Sequence, residues 1–156
     1  MGNGPSHIAH QLANHKGVFR ETISVEERPF ELGTTFSILH AVSDAVRASI
    51  ANRRFPILLA GGCLSSLASL SAIGTQGTGL IWFDAHGDFN TPETTPSGFI
   101  DGMAIAAITG RCWRTLTASV PGFVALPESN VALIGARDFD AEEFSALKDS
   151  GVRSMT

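Results

Sequence analysis

Gly79-Leu80-Ile81-Trp82-Phe83-Asp84-Ala85-His86-Gly87-Asp88-Phe89-Asn90 changes character at its middle. Its first half is an uninterrupted apolar run opened by glycine, the pattern of a strand buried on both faces of a parallel sheet. Its second half is polar, with two carboxylates and an imidazole at alternate positions from the strand's end. In an extended segment alternate residues point to one side, so Asp84, His86 and Asp88 are expected to converge. Two oxygen donors and one nitrogen donor suit a borderline divalent ion such as Mn2+. Two carboxylates side by side repel one another unless a cation offsets them. The blander reading is a polar loop whose aspartates cap the following turn.

Outward from this stretch, the same apolar signal recurs at Ile57–Ala60, closed by Gly61-Gly62, and at Val131–Ile134. Gly151-Val152 starts what reads as a further strand. Helical periodicity lies between them. Residues 33–52 place Phe36, Leu39, Val42, Val46 and Ile50 at spacings of three and four, with Thr34 or Thr35 to cap them. Residues 64–73, 101–110 and 140–149 read as further helices, 5–16 as a weak one, and 18–31 as irregular. Alternating strand and helix implies right-handed parallel crossovers. The expected fold is a single α/β domain over 1–156, a three-layer α/β/α arrangement with a mainly parallel sheet. Chemistry in such sheets sits outside the carboxyl ends of the strands, which gathers residues 61–66, 84–97 and 135–140.

Composition narrows the function. The 156 residues are 44% hydrophobic and 17% charged, too apolar and too weakly charged for a disordered chain. Eleven Lys+Arg against 15 Asp+Glu leave no basic excess for nucleic acid. Cys63 and Cys112 do not make a disulfide framework, so a reducing cytoplasm is the default. No apolar run approaches the ~20 residues of a membrane span, and the first residues lack the order of a signal peptide. Met1-Gly2 with Ser6 matches an acylation pattern, but so short a pattern recurs by chance, and Gly4-Pro5 reads as a turn.

The run Asp84-Ala85-His86-Gly87-Asp88-Phe89-Asn90, with Thr91-Pro92 and Ser97-Gly98, closely resembles the signature of the ureohydrolases, the family of arginase, agmatinase and formiminoglutamase. Gly4-Pro5, the glycine turn at 61–62 and Ile134-Gly135-Ala136-Arg137-Asp138-Phe139-Asp140 extend the resemblance along the chain in the same order. It implies an arginase-like α/β/α fold and a two-manganese site whose bridging water attacks a guanidinium or amidine carbon. It implies that Asp84, His86 and Asp88 are metal ligands, the two aspartates being the bridging ones. Asn90 and Ser97 fall where arginases hold the substrate's α-carboxylate, and Asp140 where they hold its α-amino group. The implied substrate is a small guanidino or amidino compound, and the family often forms trimers or hexamers.

Three departures stand out. The family's Gly-Gly-Asp-His-Ser turn, whose histidine is a metal ligand, is Gly61-Gly62-Cys63-Leu64-Ser65 here, and Cys63 is the one soft or nitrogen donor this turn offers in place of that histidine. A thiolate is softer than Mn2+ prefers and favours Zn2+ or Fe2+; the alternative is a small buried cysteine packing a helix start. Asp101 stands where arginases place a proton-shuttling histidine; it is either an acid–base group with a raised pKa or a cap for the helix that follows. The family's further aspartates and glutamate, in a Ser-x-Asp-x-Asp strand and beyond, are absent, since the sequence ends at Met155-Thr156. Two readings follow: a partial sequence of a hydrolase, or a catalytically inactive relative acting as a binding or assembly module. Elsewhere, His7, His10 and His15 read as solvated, His40 as a boundary residue and Arg111-Cys112-Trp113-Arg114 as a helix end with a packed indole. Arg137 and Asp138 read as a local ion pair.

Overall fold

In the computed structural model, which describes residues 4–12 and 15–155, three short strands form one parallel sheet. Leu80–Phe83 (β1) pairs with Val131–Ile134 (β2), and β2 with Arg153–Met155 (β3), in the order β1-β2-β3. Phe83 stands opposite Ile134 and Ile134 opposite Met155, so the carboxyl ends of the strands finish together along one rim. Six α-helices accompany the sheet among the described residues: Gly4–Leu12 (α1), Glu31–Ala51 (α2), Ser66–Ile73 (α3), Ala104–Ile108 (α4), Arg114–Ser119 (α5) and Ala141–Lys148 (α6). The acylation pattern at Met1-Gly2 lies outside the described residues.

The parallel α/β architecture is the expected one, with one qualification. Trp82, Val131 and Leu133 join a single core with the helices, whereas Ile81 is 64% and Phe83 78% exposed. The strand read as buried on both faces is covered on one among the described residues. The strand order supplies the reason: both crossovers step the same way along the sheet, and right-handed crossovers that step the same way lie on the same face.

Ile57–Ala60 is a correction. The run is apolar and precedes the glycine turn as expected, but it pairs with no strand among the described residues, and Ile57 is exposed. An apolar run becomes a strand only where a ladder partner lies alongside to take its N–H and C=O groups. It feeds Gly61-Gly62 into a 3-10 turn, Cys63–Ser65, which runs on into α3.

The core lies where α2 crosses α3. Phe36, Leu39, Val42 and Val46 of α2 meet Leu64, Leu67, Ala68 and Leu70. A buried Ser43–Ser71 hydrogen bond of 2.9 Å satisfies the two hydroxyls where the helices approach. α2 begins at Glu31, ahead of its expected start. Thr34 holds the approaching chain instead of capping, its Oγ1 accepting from the Arg28 backbone N–H at 2.7 Å. All five residues of α4 are buried, and its N-terminus faces the loop that leaves β1: the N–H groups of Ile105 and Ala106 donate to the Asp88 carbonyl at 2.8 and 3.2 Å.

Candidate metal centre

The start of the loop after β1 is pinned to β2 and to the segment that follows β2. The N–H of Asp84 donates to Ile134 O at 3.2 Å, and those of Arg137 and Asp138 donate to Ala85 O at 2.8 and 3.0 Å. The loop is not extended. Asp84 folds back on its own chain, its Oδ1 accepting from the His86 backbone N–H at 2.9 Å and lying 3.1 Å from His86 Nδ1. Asp88 then adopts a left-handed backbone with φ of 48°, a conformation that aspartate tolerates better than most residues. That twist sends Asp88 inward while His86 stays at the surface.

The expected convergence is therefore redistributed. Asp84 and Asp88 come together with Cys63, one ligand atom from each lying within 4.8 Å of the others. His86 stands outside this group, exposed, with Asp138 Oδ2 4.0 Å from its Nε2. The Asp84 carboxylate lies between the two sides. Its Oδ2 is 3.8 Å from the Cys63 sulfur, which donates to it, and its Oδ1 faces His86.

Electrostatics mark the Cys63 side as short of positive charge. Asp88 is only 4% exposed. Burial, reinforced by the neighbouring Asp84 carboxylate, pushes its pKa up to about 7. Burial and then the charge of Asp88 push the Cys63 thiol up to about 12. Asp88 Oδ2 and the Trp82 indole nitrogen are buried and lack a partner in hydrogen-bond geometry, although the indole lies near enough to favour the carboxylate form. A buried acidic oxygen without a donor is costly as it stands. A thiol and two carboxylates, one of them carrying that unpaired oxygen, make a donor set that a divalent cation would satisfy.

Asp101 does not cap the helix that follows it. Its Oδ1 accepts the backbone N–H of Leu64 at 3.0 Å, across 37 positions of sequence, in the turn that carries Cys63. Glycine at position 62 makes room for this contact, because a Cβ there would run into the Asp101 carboxylate and force it to shift. Asn90 and Asp140 meet directly, Asn90 Nδ2 donating to Asp140 Oδ2 at 2.8 Å. Ser97 lies in an exposed stretch, its Oγ accepting the Phe99 N–H at 3.2 Å. The expected Arg137–Asp138 ion pair is absent: Arg137 Nη1 donates to Gly135 O at 3.0 Å, and Asp138 turns toward His86. The backbone fan around Ala85 and Gly135 sets these directions more firmly than a surface ion pair could.

One supporting residue escaped the reading of the sequence. Glu143 is buried; its Oε1 accepts the Phe89 N–H at 2.9 Å, and its Oε2 the Asp140 N–H at 3.3 Å. With Asp140 it forms a capping box at the start of α6. The Asp140-x-x-Glu143 spacing is the signal that could have revealed it.

A parallel α/β sheet carrying an acidic, thiol-containing cluster at the carboxyl ends of its strands defines a class of proteins with a candidate metal centre. The comparisons place it more closely. The model of the arginase family matches residues 3–156. An arginase of Staphylococcus aureus (strain MRSA252) is 40% identical over 121 residues, covering 76% of this chain and 39% of the relative. An arginase of Bacillus subtilis (strain 168) is 33% identical over 140 residues, covering 88% of this chain and 47% of the relative. A crystal structure of Bacillus subtilis arginase superposes with a TM-score of 0.82 at 28% identity, over 97% of this chain and 57% of that one. The chain belongs to the arginase family. It spans less than half the length of those two curated relatives.

Proposed function

We propose that the chain carries part of the metal centre of a hydrolase acting on a linear C–N bond in a guanidino or amidino compound. Within an arginase-family fold, one observation carries this: a thiol and two carboxylates meet around a buried, unpartnered oxygen of Asp88. Cys63, Asp84 through Oδ2, and Asp88 would hold one cation. His86 and the Oδ1 of Asp84, 3.1 Å apart, are the donors that would help hold a second. Manganese is the ion the family reading implies. Bound divalent ions supply a water deprotonated near neutral pH, which a resonance-stabilised guanidinium requires.

The chain's own residues supply the rest. Asn90 and Asp140 form a hydrogen-bonded pair, and the family reading assigns Asn90 and Ser97 to a substrate α-carboxylate and Asp140 to its α-amino group. Glu143 holds the Asp88–Asn90 backbone in place through Phe89. The family reading also implies a small-molecule substrate and a homo-oligomer, and Cys63 and Cys112, both free thiols, support a cytoplasmic setting. No described helix is long and apolar enough to cross a membrane.

Two measurements test this on the purified chain: metal content after loading with Mn2+, and urea release from arginine, agmatine and guanidino acids. Stoichiometric metal with urea release supports the hydrolase, and Asp88→Asn should reduce both. Urea release unchanged in Asp88→Asn overturns the role given to that residue. A second reading, a metal-poor relative serving as a binding or assembly module, draws on the uncovered sheet face at Ile81 and Phe83; absence of bound metal after loading favours it.

A further inference from the structure

The family pattern does not account for Cys63. Its thiol is the one soft donor in a group otherwise made of carboxylates. The other cysteine, Cys112, lies in the apolar core.

We propose that Cys63 sets the metal preference of this centre, so that the Cys63–Asp84–Asp88 group takes Zn2+ ahead of Mn2+. The inference rests on reading the group as a metal centre, and it concerns which ion that centre selects. Three features carry it. The sulfur and a carboxylate oxygen of Asp84 and of Asp88 lie within 4.8 Å of one another. Asp88 is 4% exposed, and no donor meets its Oδ2 in hydrogen-bond geometry, so the cluster contains a buried and poorly satisfied acceptor. The sulfur is also held in place beforehand. The 3-10 turn that bears Cys63 is fixed by Leu64 N–H on Asp101 Oδ1 at 3.0 Å and by Ser65 Oγ on Gly62 O at 2.6 Å.

Thiolate ligands select zinc over manganese, and Mn2+ is the weakest binder of the first-row series at almost any nitrogen, oxygen or sulfur site. Three protein donors are also the complement of a catalytic zinc site, which keeps one position open. On binding, the Cys63 S–H bond breaks, its proton passes to solvent, and the sulfur lone pair forms the bond to the metal. No electron is transferred, and no further reactant is needed.

The test is competition on the full chain after chelator treatment, titrating Zn2+ and Mn2+ calorimetrically and using Co2+ as a spectroscopic probe. The expected result is Zn2+ binding at least about tenfold tighter than Mn2+, with a sulfur-to-cobalt charge-transfer band. Cys63→Ser should abolish the band and lower Zn2+ affinity at least about tenfold, by more than it lowers Mn2+ affinity, so that the preference for Zn2+ narrows. Cys63→His should abolish the band yet still bind metal, which shows that loss of the band is not loss of the fold. Mn2+ binding as tightly as Zn2+ in the unaltered chain, or a band that persists in Cys63→Ser, overturns the inference and leaves the metal-centre reading standing. Failure of all three ions to bind overturns both.

Discussion

Asp101 shows how one carboxylate can be given two jobs that a pair of substitutions separates. Its Oδ1 accepts the Leu64 N–H beside Cys63. Asp101→Asn keeps an oxygen at that position, whereas Asp101→Ala leaves a backbone donor unpaired at a cost of about 1–3 kcal/mol. A bracing role predicts that the asparagine variant keeps metal affinity and stability near the parent, and that the alanine variant loses both, by metal titration and urea denaturation. An acid–base role predicts equal loss of turnover in both. At Gly87 a methyl would stand 2.6 Å from the Glu143 carboxyl carbon. Gly87→Ala should therefore cost about 1–3 kcal/mol of stability, read from denaturant midpoints, by pushing Glu143 off the Phe89 N–H. The residue types of the centre were legible as Asp84, Asp88 and Cys63. Their arrangement was not, because alternation assumes extended backbone and Asp88 leaves it at φ 48°. Nor could local spacing show that Asp101 reaches back 37 positions to the cysteine turn.

At the level of elements, the α2–α3 crossing carries much of the core. Leu67 is fully buried there, and Leu67→Ala should cost about 2–5 kcal/mol, measured by urea denaturation. A second junction is polar. The Arg111 guanidinium lies 4.3 Å above the Phe89 ring and donates to Glu128 Oε1 at 2.6 Å, while Glu128 Oε2 accepts the Gly151 N–H at 2.9 Å. One ion pair thus ties the end of α4, the loop after β1 and the approach to β3. Hydrogen bonding from Arg111 holds the Glu128 carboxyl below its ordinary 4.5. A lowered carboxyl pKa gives stability that is present above the unfolded value and lost as pH falls through the folded one. Acidification below about 4.5 should therefore weaken this junction, and Glu128→Gln should flatten that part of the pH dependence of the denaturation midpoint. The strands at 80–83 and 131–134 were readable from their apolar runs because each found a ladder partner. Ile57–Ala60 carries the same signal and has no partner among the described residues, a fact of tertiary placement that hydrophobicity does not encode. The short α5 also went unread, too brief for a periodic pattern to emerge.

Over the whole molecule, the one-sided crossovers leave Ile81, Phe83 and Met155 facing out on the uncovered side of a sheet. Unpaired edges and exposed apolar strands invite association. Phe83→Glu should lower concentration-dependent self-association and dye binding to apolar surface, by light scattering and fluorescence, with the far-ultraviolet dichroism unchanged. The route from β1 to β2 has a different kind of consequence. Residues 84–130 all lie between the two strands, including Asp88, Asp101 and the whole of α4. Closing so long a stretch costs chain entropy before any contact repays it. The two ends of the Asp84–Asn90 loop find their anchors on Ile134 and Glu143, beyond that closure. During refolding, the ability to capture an ion should thus emerge together with the non-local ladder, in one cooperative step, and trail behind any early formation of α2.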